Sequence, residues 1–395
     1  MRDAVIVQAV RTAIGRAGRG TLKDTRPDEF GAECMQEVMK RTPQVKPDEI
    51  EDLIVGNAMP EGAQGMNFAR ILGCRAGLPD HVPAITINRF CSSGLNAIAM
   101  AAEKIAVGYV DVVMAGGVES MTMIPMGGFN PSMNPHLMEV WPEVYTPMGV
   151  TAENVAKKFN VTRAQQDEYA YHSHMKAVKA IKEGKFKSQL LPLKVKVYGA
   201  DEKTGKPTVK DVVFDTDESP RPDTTIDGLS KLRPVFAQDG SVTAGNSSPM
   251  NDGAAFTIVM DAETAKKKGL KPMAYFRHFA VVGTPPEIMG VGPLYAIRKL
   301  FEKTGLKAGD IDLYEINEAF ASQAYYCCTE LGLPMDRVNV NGGAIALGHP
   351  LGCTGAKLTT QLLYEMEQRN ARWGVVAMCI GGGMGAAGLF ERVKN

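Results

Sequence analysis

Three side chains stand where a nucleophile or a proton carrier could work. Cys91 follows a predicted strand and precedes a predicted helix, so its sulfur would lie near a helix N-terminus, where unpaired N–H groups favour the thiolate. His349 stands between Gly348 and Pro350. Because neither neighbour has a large side chain to cover the imidazole, the ring could be accessible to a ligand. Cys379 ends another predicted strand. A small buried cysteine and a hydrogen-bonded core histidine are the ordinary alternatives, and both stay open from the residues alone.

Two further features add to this candidate chemistry. Gly381 opens a glycine cluster after Cys379, and backbone N–H groups in such a cluster can point at a substrate oxygen, as in an oxyanion hole. Asn317 and Glu318 interrupt an otherwise apolar segment. The glycine-rich run at 339–355 is no phosphate loop, because it lacks the Lys and Ser/Thr of a P-loop and the spacing of a dinucleotide fingerprint.

The elements that must position these residues form a repeat. Each of two segments is predicted to run strand, loop, helix, strand, and each ends in glycines. The repeat predicts two similar halves that face one another. In the first segment the four elements cover residues 84–88, 89–94, 95–107 and 110–115, and in the second they cover 338–341, 342–355, 356–368 and 373–378.

The residues between the two segments, 119–247, differ in composition. Residues 121–145 are rich in Met, Pro, Gly and Asn, which predicts a long surface loop. Thr162 with Gln165 forms a capping box that predicts a helix to about residue 185, and 194–226 predicts strand and loop. We interpret residues 119–247 as an inserted domain that binds substrate or takes part in assembly. The alternative is a solvent-exposed insertion without a function.

The composition is that of a soluble globular protein. Of 395 residues 45% are hydrophobic, and 44 basic residues balance 44 acidic ones. A neutral chain has no excess of Lys and Arg for nucleic acid or an anionic membrane, and its apolar runs are too short to span a bilayer. The length predicts two core-forming units or one duplicated core.

We expect a cytoplasmic protein. Seven scattered cysteines fit a reducing compartment better than a disulfide framework. Three arginines in residues 4–22 would suit a transit peptide, but the β-branched run at 4–10 is typical of a strand of the folded protein. The last residues carry no peroxisomal or retention signal. An organelle that imports without a visible signal stays open.

Five motifs are distributed along the chain: NRFCSSG at 88–94, AGGVESM at 115–121, NEAFA at 317–321, GGAIALGHPLGCTGA at 342–356 and CIGGGMGAA at 379–387. Together they resemble, in the family's order, the nucleophile, strand-end, Asn, His and second-Cys motifs of the thiolase family. The resemblance covers nearly the whole chain.

The resemblance implies an α/β thiolase fold. In that fold two duplicated βαβ-type halves form five layers, αβαβα, and a loop domain is inserted in the first half. We therefore expect the N-terminal half at 1–118 and 248–271, the inserted loop domain for CoA binding and assembly at 119–247, and the C-terminal half at 272–395.

The resemblance also implies an acyltransferase of fatty-acid β-oxidation that cleaves 3-ketoacyl-CoA by CoA, reversibly, to acetyl-CoA and a shortened acyl-CoA. Cys91 would attack the ketone and carry the acyl group, and His349 would take its proton. Cys379 would protonate the departing carbanion and later deprotonate CoA. One oxyanion hole would be His349 with a water held by Asn317, and the other would be the backbone N–H groups of Cys91 and Gly381.

Coenzyme A would be a co-substrate, with no permanently bound cofactor and no metal. By resemblance, Ser248 would hydrogen-bond the pantetheine, Arg221 would lie near the nucleotide, and the acyl and pantetheine channel would be lined by Met148, Met289 and Phe320. From the residues alone, the two methionines could belong to the core and Arg221 could be a solvated loop charge.

The residue at position 147 distinguishes two subtypes of the family. Short acetoacetyl-specific thiolases carry a His before the Met-Gly of the MGxTAEN run, whereas this chain has Pro147 there. That difference, together with the runs at 281–293 and 315–327, is more similar to the broad-chain 3-ketoacyl-CoA thiolases. An acetoacetyl-CoA thiolase (acetyl-CoA C-acetyltransferase) is the alternative.

Other classes of protein fit the residues less well. A decarboxylating condensing enzyme would use Cys with two His or with His and Asn, and only His349 stands in a catalytic motif. A non-catalytic acyl-CoA binder would have lost Cys91, Cys379 or His349. His172 and His174, at i and i+2 of a predicted helix, face different ways and cannot chelate one metal. The family suggests a homodimer or homotetramer, and a hydratase-dehydrogenase is a further candidate partner.

Overall fold

The computed structural model describes residues 1–201 and 204–393. The strands are β1 Ala4–Thr12, β2 Gly15–Arg16, β3 Asp52–Gly56, β4 Ala84–Ile87, β5 Val112–Ser120, β6 Leu190–Leu191, β7 Leu193–Ala200, β8 Pro207–Phe214, β9 Asn251–Asp261, β10 Ala274–Gly283, β11 Leu313–Ile316, β12 Trp373–Ile380 and β13 Met384–Arg392. The helices are α1 Pro27–Arg41, α2 Phe68–Ala76, α3 Ser93–Ala106, α4 Pro135–Val140, α5 Met148–Lys158, α6 Arg163–Lys182, α7 Ile226–Ser230, α8 Ala262–Lys267, α9 Gly292–Thr304, α10 Ala321–Glu330, α11 Ala344–Leu347 and α12 Leu351–Arg369.

The strands form an 11-stranded sheet and a separate hairpin of β7 and β8. The order in the large sheet is β11-β12-β13-β10-β1-β9-β5-β3-β4, with β2 beside β9 and β6 beside β1. In the first half β3 lies parallel to β5 and β5 antiparallel to β9, and in the second β11 lies parallel to β12 and β12 antiparallel to β13. The halves meet where β1 pairs with β10, at Val5↔Tyr275 and Ile6↔Ala274. The predicted repeat is therefore present, and its two sheets are continuous through this short ladder.

Helices α3 and α12 lie between the two halves of the sheet. Their buried side chains, Ile98 and Leu362 among them, pack with β5 and β9 of the first half and with β12 and β13 of the second. Helices α1 and α2 cover the outer face of the first half, and α9 and α10 cover that of the second. The arrangement has five layers, αβαβα, because each apolar sheet face needs a helical layer to bury it.

Glycines let α3 and α12 approach closely. An ideal Cβ on Gly355 would lie 2.2 Å from the backbone N of Leu95, and one on Gly94 would lie 2.7 Å from the N of Ala356. Side-chain atoms do not come so close to backbone, so the contact needs glycine at both positions. The N-terminal ends of the two helices, each of which follows a candidate catalytic residue, are thereby held side by side.

The prediction of a strand at 338–341 is wrong. Val338 alone forms a bridge, parallel to Tyr314, in the place that β4 takes beside β3 in the first half. Asn339 has a φ of 44°, a left-handed conformation that ends an extended chain. Its side-chain amide takes over the pairing, because it bonds both the N–H and the C=O of Ile316, each at 2.8 Å.

Three other predicted elements differ in extent. The loop expected at 342–355 contains α11 and the start of α12, which begins early because the buried Glu119 carboxylate accepts the N–H of Gly352 at 2.8 Å. Strand β5 does not end at Gly116 but continues to Ser120. Strand β4 is half exposed rather than buried, because it is the edge strand of the sheet.

The middle region contains the predicted helix. Helix α6 begins after Thr162, whose side chain forms the capping box with Gln165. Residues 121–145 are mostly exposed and contain only α4 and a short 3₁₀ turn. A fully buried ion pair between Arg11 of β1 and Asp217, at 2.8 Å, joins this region to the sheet. Among the described residues, no helix has both the length and the apolar character that a membrane crossing needs.

Candidate active site

Cys91 lies in the 3₁₀ turn Phe90–Ser92, between β4 and α3. Phe90 has a φ of 41°, which an aromatic residue rarely adopts. Side chains hold this turn: the Asn88 Oδ1 accepts the N–H of Phe90 at 2.8 Å, and the Ser93 hydroxyl donates to the Phe90 carbonyl at 2.7 Å. A strained turn fixed from both sides gives the Cys91 sulfur one position at the start of α3.

Backbone N–H groups favour the Cys91 thiolate in the predicted direction, but burial has the larger effect on its pKa. Burial raises the pKa of the Cys91 thiol to about 12, although the backbone N–H groups of Gly381 and of Cys91 itself act in the opposite direction. The charge of Glu119 adds to the rise. Lost hydration thus outweighs the helix end, and the thiol needs a base to take its proton before it can attack.

The His349 imidazole is held at both ring nitrogens. Its Nδ1 lies 2.6 Å from the Thr354 hydroxyl, and that hydroxyl donates to the Pro350 carbonyl at 2.8 Å. The hydroxyl therefore accepts from the ring, which places the ring proton on Nδ1 and leaves a lone pair on Nε2. The Asn317 Nδ2 lies 3.3 Å from this Nε2 and donates to it.

The same ring is neutral near pH 7. Burial and, to a smaller extent, the Lys357 ammonium lower the pKa of His349 to about 3. A neutral imidazole with an unprotonated Nε2 is the form that can act as a base. Leu351, two residues after the histidine, packs in the same small apolar cluster as Cys91, so the His349 loop lies near the turn that carries Cys91.

Asn317 stands at the end of β11, beside β12, which carries Cys379. Its N–H donates to the Ala377 carbonyl at 2.8 Å, and its own carbonyl accepts from the Gln323 side chain at 3.1 Å. Because β11 and β12 are parallel, their carboxyl ends meet at one edge of the sheet. The Asn317 Oδ1 is buried and has no hydrogen-bond partner among the described residues.

Cys379 and Gly381 lie close to the Cys91 sulfur. Burial raises the pKa of the Cys379 thiol well above its usual value, and the neighbouring Cys91 thiol adds to the rise, so the two sulfurs are close. The Gly381 N–H points at the Cys91 sulfur, since it lowers the pKa of that thiol. The two thiols can each supply a proton to a substrate bound between them and the Gly381 N–H. That N–H can also stabilise negative charge that develops on the substrate.

Four of the five predicted CoA contacts lie beside this centre. Met148, Met289 and Phe320 belong to the apolar cluster around Cys379. The Ser248 N–H donates to the Ala319 carbonyl at 2.9 Å, in the same cluster. These residues can line one apolar channel that leads to the two thiols.

Arg221 lies apart from that cluster. It is exposed, and its backbone N–H donates to the His174 Nδ1 at 3.2 Å. Burial and the nearby charge of Arg221 lower the pKa of Arg16, so these two guanidinium groups lie near one another. Within the described part of the chain, no group of three or more His, Cys, Asp or Glu side chains could hold a metal ion.

Buried polar residues outside the predicted site hold it together. The Asn251 Oδ1 accepts the N–H of His349 at 3.0 Å, and the Glu119 carboxylate accepts those of Ala58 and Gly352 at 2.8 Å each. The sequence offered a signal for Glu119, which stands in the AGGVESM motif, but none for Asn251. A buried Asn is recognisable only once its hydrogen-bond partners are known.

Comparison with known proteins gives the family of this arrangement. Two family models match, "Thiolase, N-terminal domain" over residues 4–263 and "Thiolase, C-terminal domain" over residues 270–392. The 3-ketoacyl-CoA thiolase of Bacillus subtilis is 55% identical over 99% of this chain and 100% of its own length. The predicted family is confirmed.

Solved structures confirm the predicted fold. The dimeric peroxisomal thiolase of Saccharomyces cerevisiae has a TM-score of 0.89 and 41% identity, over 99% of this chain and 98% of its own. The acetyl-CoA acetyltransferase of Bacillus anthracis has a TM-score of 0.88 and 42% identity, over 100% of this chain and 99% of its own.

Proposed function

Because the chain belongs to the thiolase family, we propose that it is an acyltransferase that cleaves 3-ketoacyl-CoA by CoA to acetyl-CoA and a shortened acyl-CoA. The observation that carries this proposal is a pair of buried, protonated thiols that interact, Cys91 and Cys379, together with a neutral imidazole, His349, whose Nε2 has a lone pair and whose loop packs through Leu351 in the apolar cluster of Cys91. Covalent acyl transfer needs this set: a nucleophile, a base to generate it and a proton carrier for the leaving group.

In the first half-reaction the Cys91 sulfur attacks C3 of the substrate while the His349 Nε2 takes the thiol proton. The C2–C3 bond then breaks, so the acyl group stays on sulfur and the electron pair passes to the acetyl-CoA enolate. Cys379 gives its proton to C2 of that enolate. Because burial keeps the Cys379 thiol protonated, it is ready as an acid before the substrate enters.

In the second half-reaction CoA regenerates the enzyme. The CoA thiol gives its proton to the Cys379 thiolate and attacks the acyl group on Cys91. The thiolate that leaves takes its proton back from the His349 imidazolium, and the acyl-CoA departs. The same steps in reverse perform a Claisen condensation.

Two groups of donors would stabilise the oxygens on which charge develops. The backbone N–H groups of Cys91 and Gly381 both act on the Cys91 sulfur and would face the ketone-derived oxygen. His349, with a water held by Asn317, would face the enolate oxygen of acetyl-CoA. The buried and unpartnered Oδ1 of Asn317 supports this role, because it can accept a hydrogen bond from such a water.

Coenzyme A would lie across the inserted region, with Ser248 on the pantetheine, Arg221 near the nucleotide and Met148, Met289 and Phe320 along the channel. The same proposal divides the chain into an N-terminal half at 1–118 and 248–271, an inserted domain at 119–247 and a C-terminal half at 272–395. We place the protein in the cytoplasm, which its full-length similarity to a bacterial protein supports. A hydratase-dehydrogenase would be its partner in β-oxidation.

We further propose that the chain assembles at least as a homodimer. One structural relative is named dimeric, and β4 leaves an unpaired edge with Ile85 43% exposed. Sedimentation should give at least twice the 42.6 kDa of one chain, and a single-chain mass would contradict the assembly.

A short-chain acetoacetyl-CoA thiolase is the second candidate, and the likeness to an acetyl-CoA acetyltransferase favours it. The experiment that separates the two is CoA-dependent cleavage of a 3-ketoacyl-CoA series of increasing chain length, compared by kcat/KM. Cys91→Ala is the inactive blank, and Cys74→Ala, which removes an exposed cysteine on α2, is the matched control.

Values that hold or rise with chain length would establish a β-oxidation thiolase. Activity confined to acetoacetyl-CoA would establish the second candidate and contradict the interpretation of Pro147. A chain without CoA-dependent cleavage would be an acyl-CoA binder.

A further inference from the structure

Lys357 is a fully buried lysine in the second turn of α12. Its Nζ donates to the Gly348 carbonyl at 2.9 Å. Lys357 forms no salt bridge with any described residue. Other ion pairs, such as Lys179–Glu183 and Arg298–Glu330, lie at the surface, and the buried Arg11–Asp217 pair has both of its charges matched. Burying a lysine that forms no direct salt bridge is energetically costly, so a role for Lys357 is expected.

The bond from Lys357 closes one side of a clamped peptide group. The Gly348 carbonyl and the His349 N–H belong to the same planar peptide unit. Lys357 holds the carbonyl at 2.9 Å, and the Asn251 Oδ1 holds the N–H at 3.0 Å. Gly348 itself has a φ of 92°, so the chain turns sharply at this unit. With both ends fixed, the peptide gives the imidazole one starting direction.

We propose that Lys357 is a positioning residue for His349, whose ammonium fixes the peptide that precedes the imidazole and adds a positive charge behind it. The inference deepens the proposed function, on which it rests for the role of His349 as the base for Cys91. Lys357 touches neither thiol and is not itself a catalytic residue.

The charge of Lys357 bears on the protonation of His349. Burial comes first and Lys357 second among the causes that lower the pKa of His349 to about 3. Burial, together with Arg11, lowers the pKa of Lys357 to about 8, while Asp217, Glu315 and Cys353 act in the opposite direction. Lys357 is therefore a cation at pH 7. Its positive charge disfavours protonation of the His349 imidazole, which stays neutral until it takes the proton of Cys91.

If Lys357 has only a structural role, joining α12 to the loop before it, a different result is expected. Its removal would lower stability, but the titration of His349 would not change. A positioning role predicts that the imidazole titrates at higher pH when the charge is lost, and that a lysine-to-arginine change, which keeps the charge, restores the native behaviour.

The test is a pH titration of ¹⁵N-histidine-labelled protein by NMR, from pH 8 down to about pH 2, so that a midpoint near pH 3 falls inside the range, with His349 assigned through His349→Gln. The proteins are the wild type, Lys357→Met, Lys357→Arg and Lys299→Met. Lys299 is the matched control, because its Nζ also donates to a backbone carbonyl, that of Val281 at 2.9 Å, but on the surface. This readout needs no turnover, so it stands even if the proposed function fails.

We expect the His349 midpoint to rise by about one pH unit in Lys357→Met and to stay in place in Lys357→Arg and Lys299→Met. In parallel, kcat/KM for 3-ketoacyl-CoA should fall roughly 10- to 100-fold in Lys357→Met with little change in KM. Should Lys357→Met fail to fold, Lys357→Gln takes its place in both measurements. Coincident midpoints in the folded charge-free variant and the wild type would overturn the inference, whereas a wild type without thiolysis would overturn the proposed function alone.

Discussion

At the scale of single residues, burial sets the protonation state of each candidate catalytic group. It keeps the thiols of Cys91 and Cys379 protonated and the imidazole of His349 neutral. The resting site thus holds a nucleophile still carrying its proton and a base ready to remove it. Charge develops only when the substrate arrives, and the donors around the thiols are already in place to stabilise it.

Cys379→Ala should separate the two steps of the reaction. Acylation of Cys91 by an acyl-CoA releases a CoA thiolate, which is a far weaker base than a carbanion and can leave without the Cys379 proton, so we expect acylation to persist at a reduced rate. Cleavage of a 3-ketoacyl-CoA requires that proton and should fall by at least roughly 10³-fold in kcat. Stopped-flow acylation and steady-state cleavage measure the two steps. Equal loss of both would contradict a specific role of Cys379 in protonating the carbanion.

Protein stability should report the neutral state of His349. In the unfolded chain its pKa is 6.5, and in the folded protein about 3, so below pH 6.5 the unfolded state binds a proton that the folded state does not. The contribution of His349 to the free energy of unfolding is therefore present above pH 6.5 and lost as pH falls, by about 2 kcal/mol at pH 5.

Urea unfolding at pH 7 and pH 5 measures this contribution. We expect His349→Gln to lose less stability between the two pH values than the wild type does. His172→Gln, at an exposed site of α6, is the control and should follow the wild type. An unchanged pH dependence in His349→Gln would mean that the imidazole is protonated in the folded protein.

The residue types of the site could be predicted from the sequence, but their energetics could not. The motif around Cys91 indicates a cysteine at a helix start, and the structure has it there. Its pKa depends on how much water the rest of the chain excludes, which no local motif contains. The role of Asn251 could not be predicted for a similar reason, because its hydrogen-bond partner His349 is 98 positions away in the sequence.

At the scale of elements, the site depends on the contact of α3 with α12. Gly355→Ala places a Cβ 2.2 Å from the Leu95 backbone, so the two helices must separate. We expect a loss of about 1–3 kcal/mol in the free energy of unfolding and a lower kcat/KM, because Cys91 and His349 precede these helices.

Gly309→Ala is the control for that change, because a Cβ there meets nothing within 4 Å. Denaturant unfolding and kcat/KM should both be close to wild type in this variant. A Gly355→Ala protein as stable and active as the control would show that the helices do not need their close contact.

Local sequence signals predicted the helices better than the loops that join strands to helices. The capping box at Thr162 gave the start of α6 because that signal is local. The start of α12 depends on Glu119, more than two hundred positions earlier, and the absence of a strand at 338–341 depends on the side chain of Asn339. Both are long-range or side-chain effects that hydrophobic periodicity does not record.

At the scale of the whole molecule, the Arg11–Asp217 ion pair fastens the middle region to the sheet, with both side chains almost fully buried. Asp217→Asn leaves the Arg11 charge without its partner and should cost about 3–5 kcal/mol in the free energy of unfolding. Glu183→Gln, which breaks an exposed pair with Lys179, should stay within about 0.5 kcal/mol of the wild type.

Thermal or urea unfolding compares the two variants directly. Similar small losses in both would mean that the middle region is held by its apolar contacts alone. The sequence predicted two similar halves and a distinct middle, but not this buried pair, because the residues lie 206 positions apart.

The proposed function depends on acylation of Cys91, and this covalent intermediate can be observed directly. The protein is incubated with a 3-ketoacyl-CoA in the absence of CoA, and intact mass and peptide mapping by mass spectrometry locate the added acyl group. We expect one shortened acyl group per chain, on the peptide that contains Cys91, and none in Cys91→Ala. An acyl group on any other residue, or thiolysis by Cys91→Ala at a near-normal rate, would contradict it.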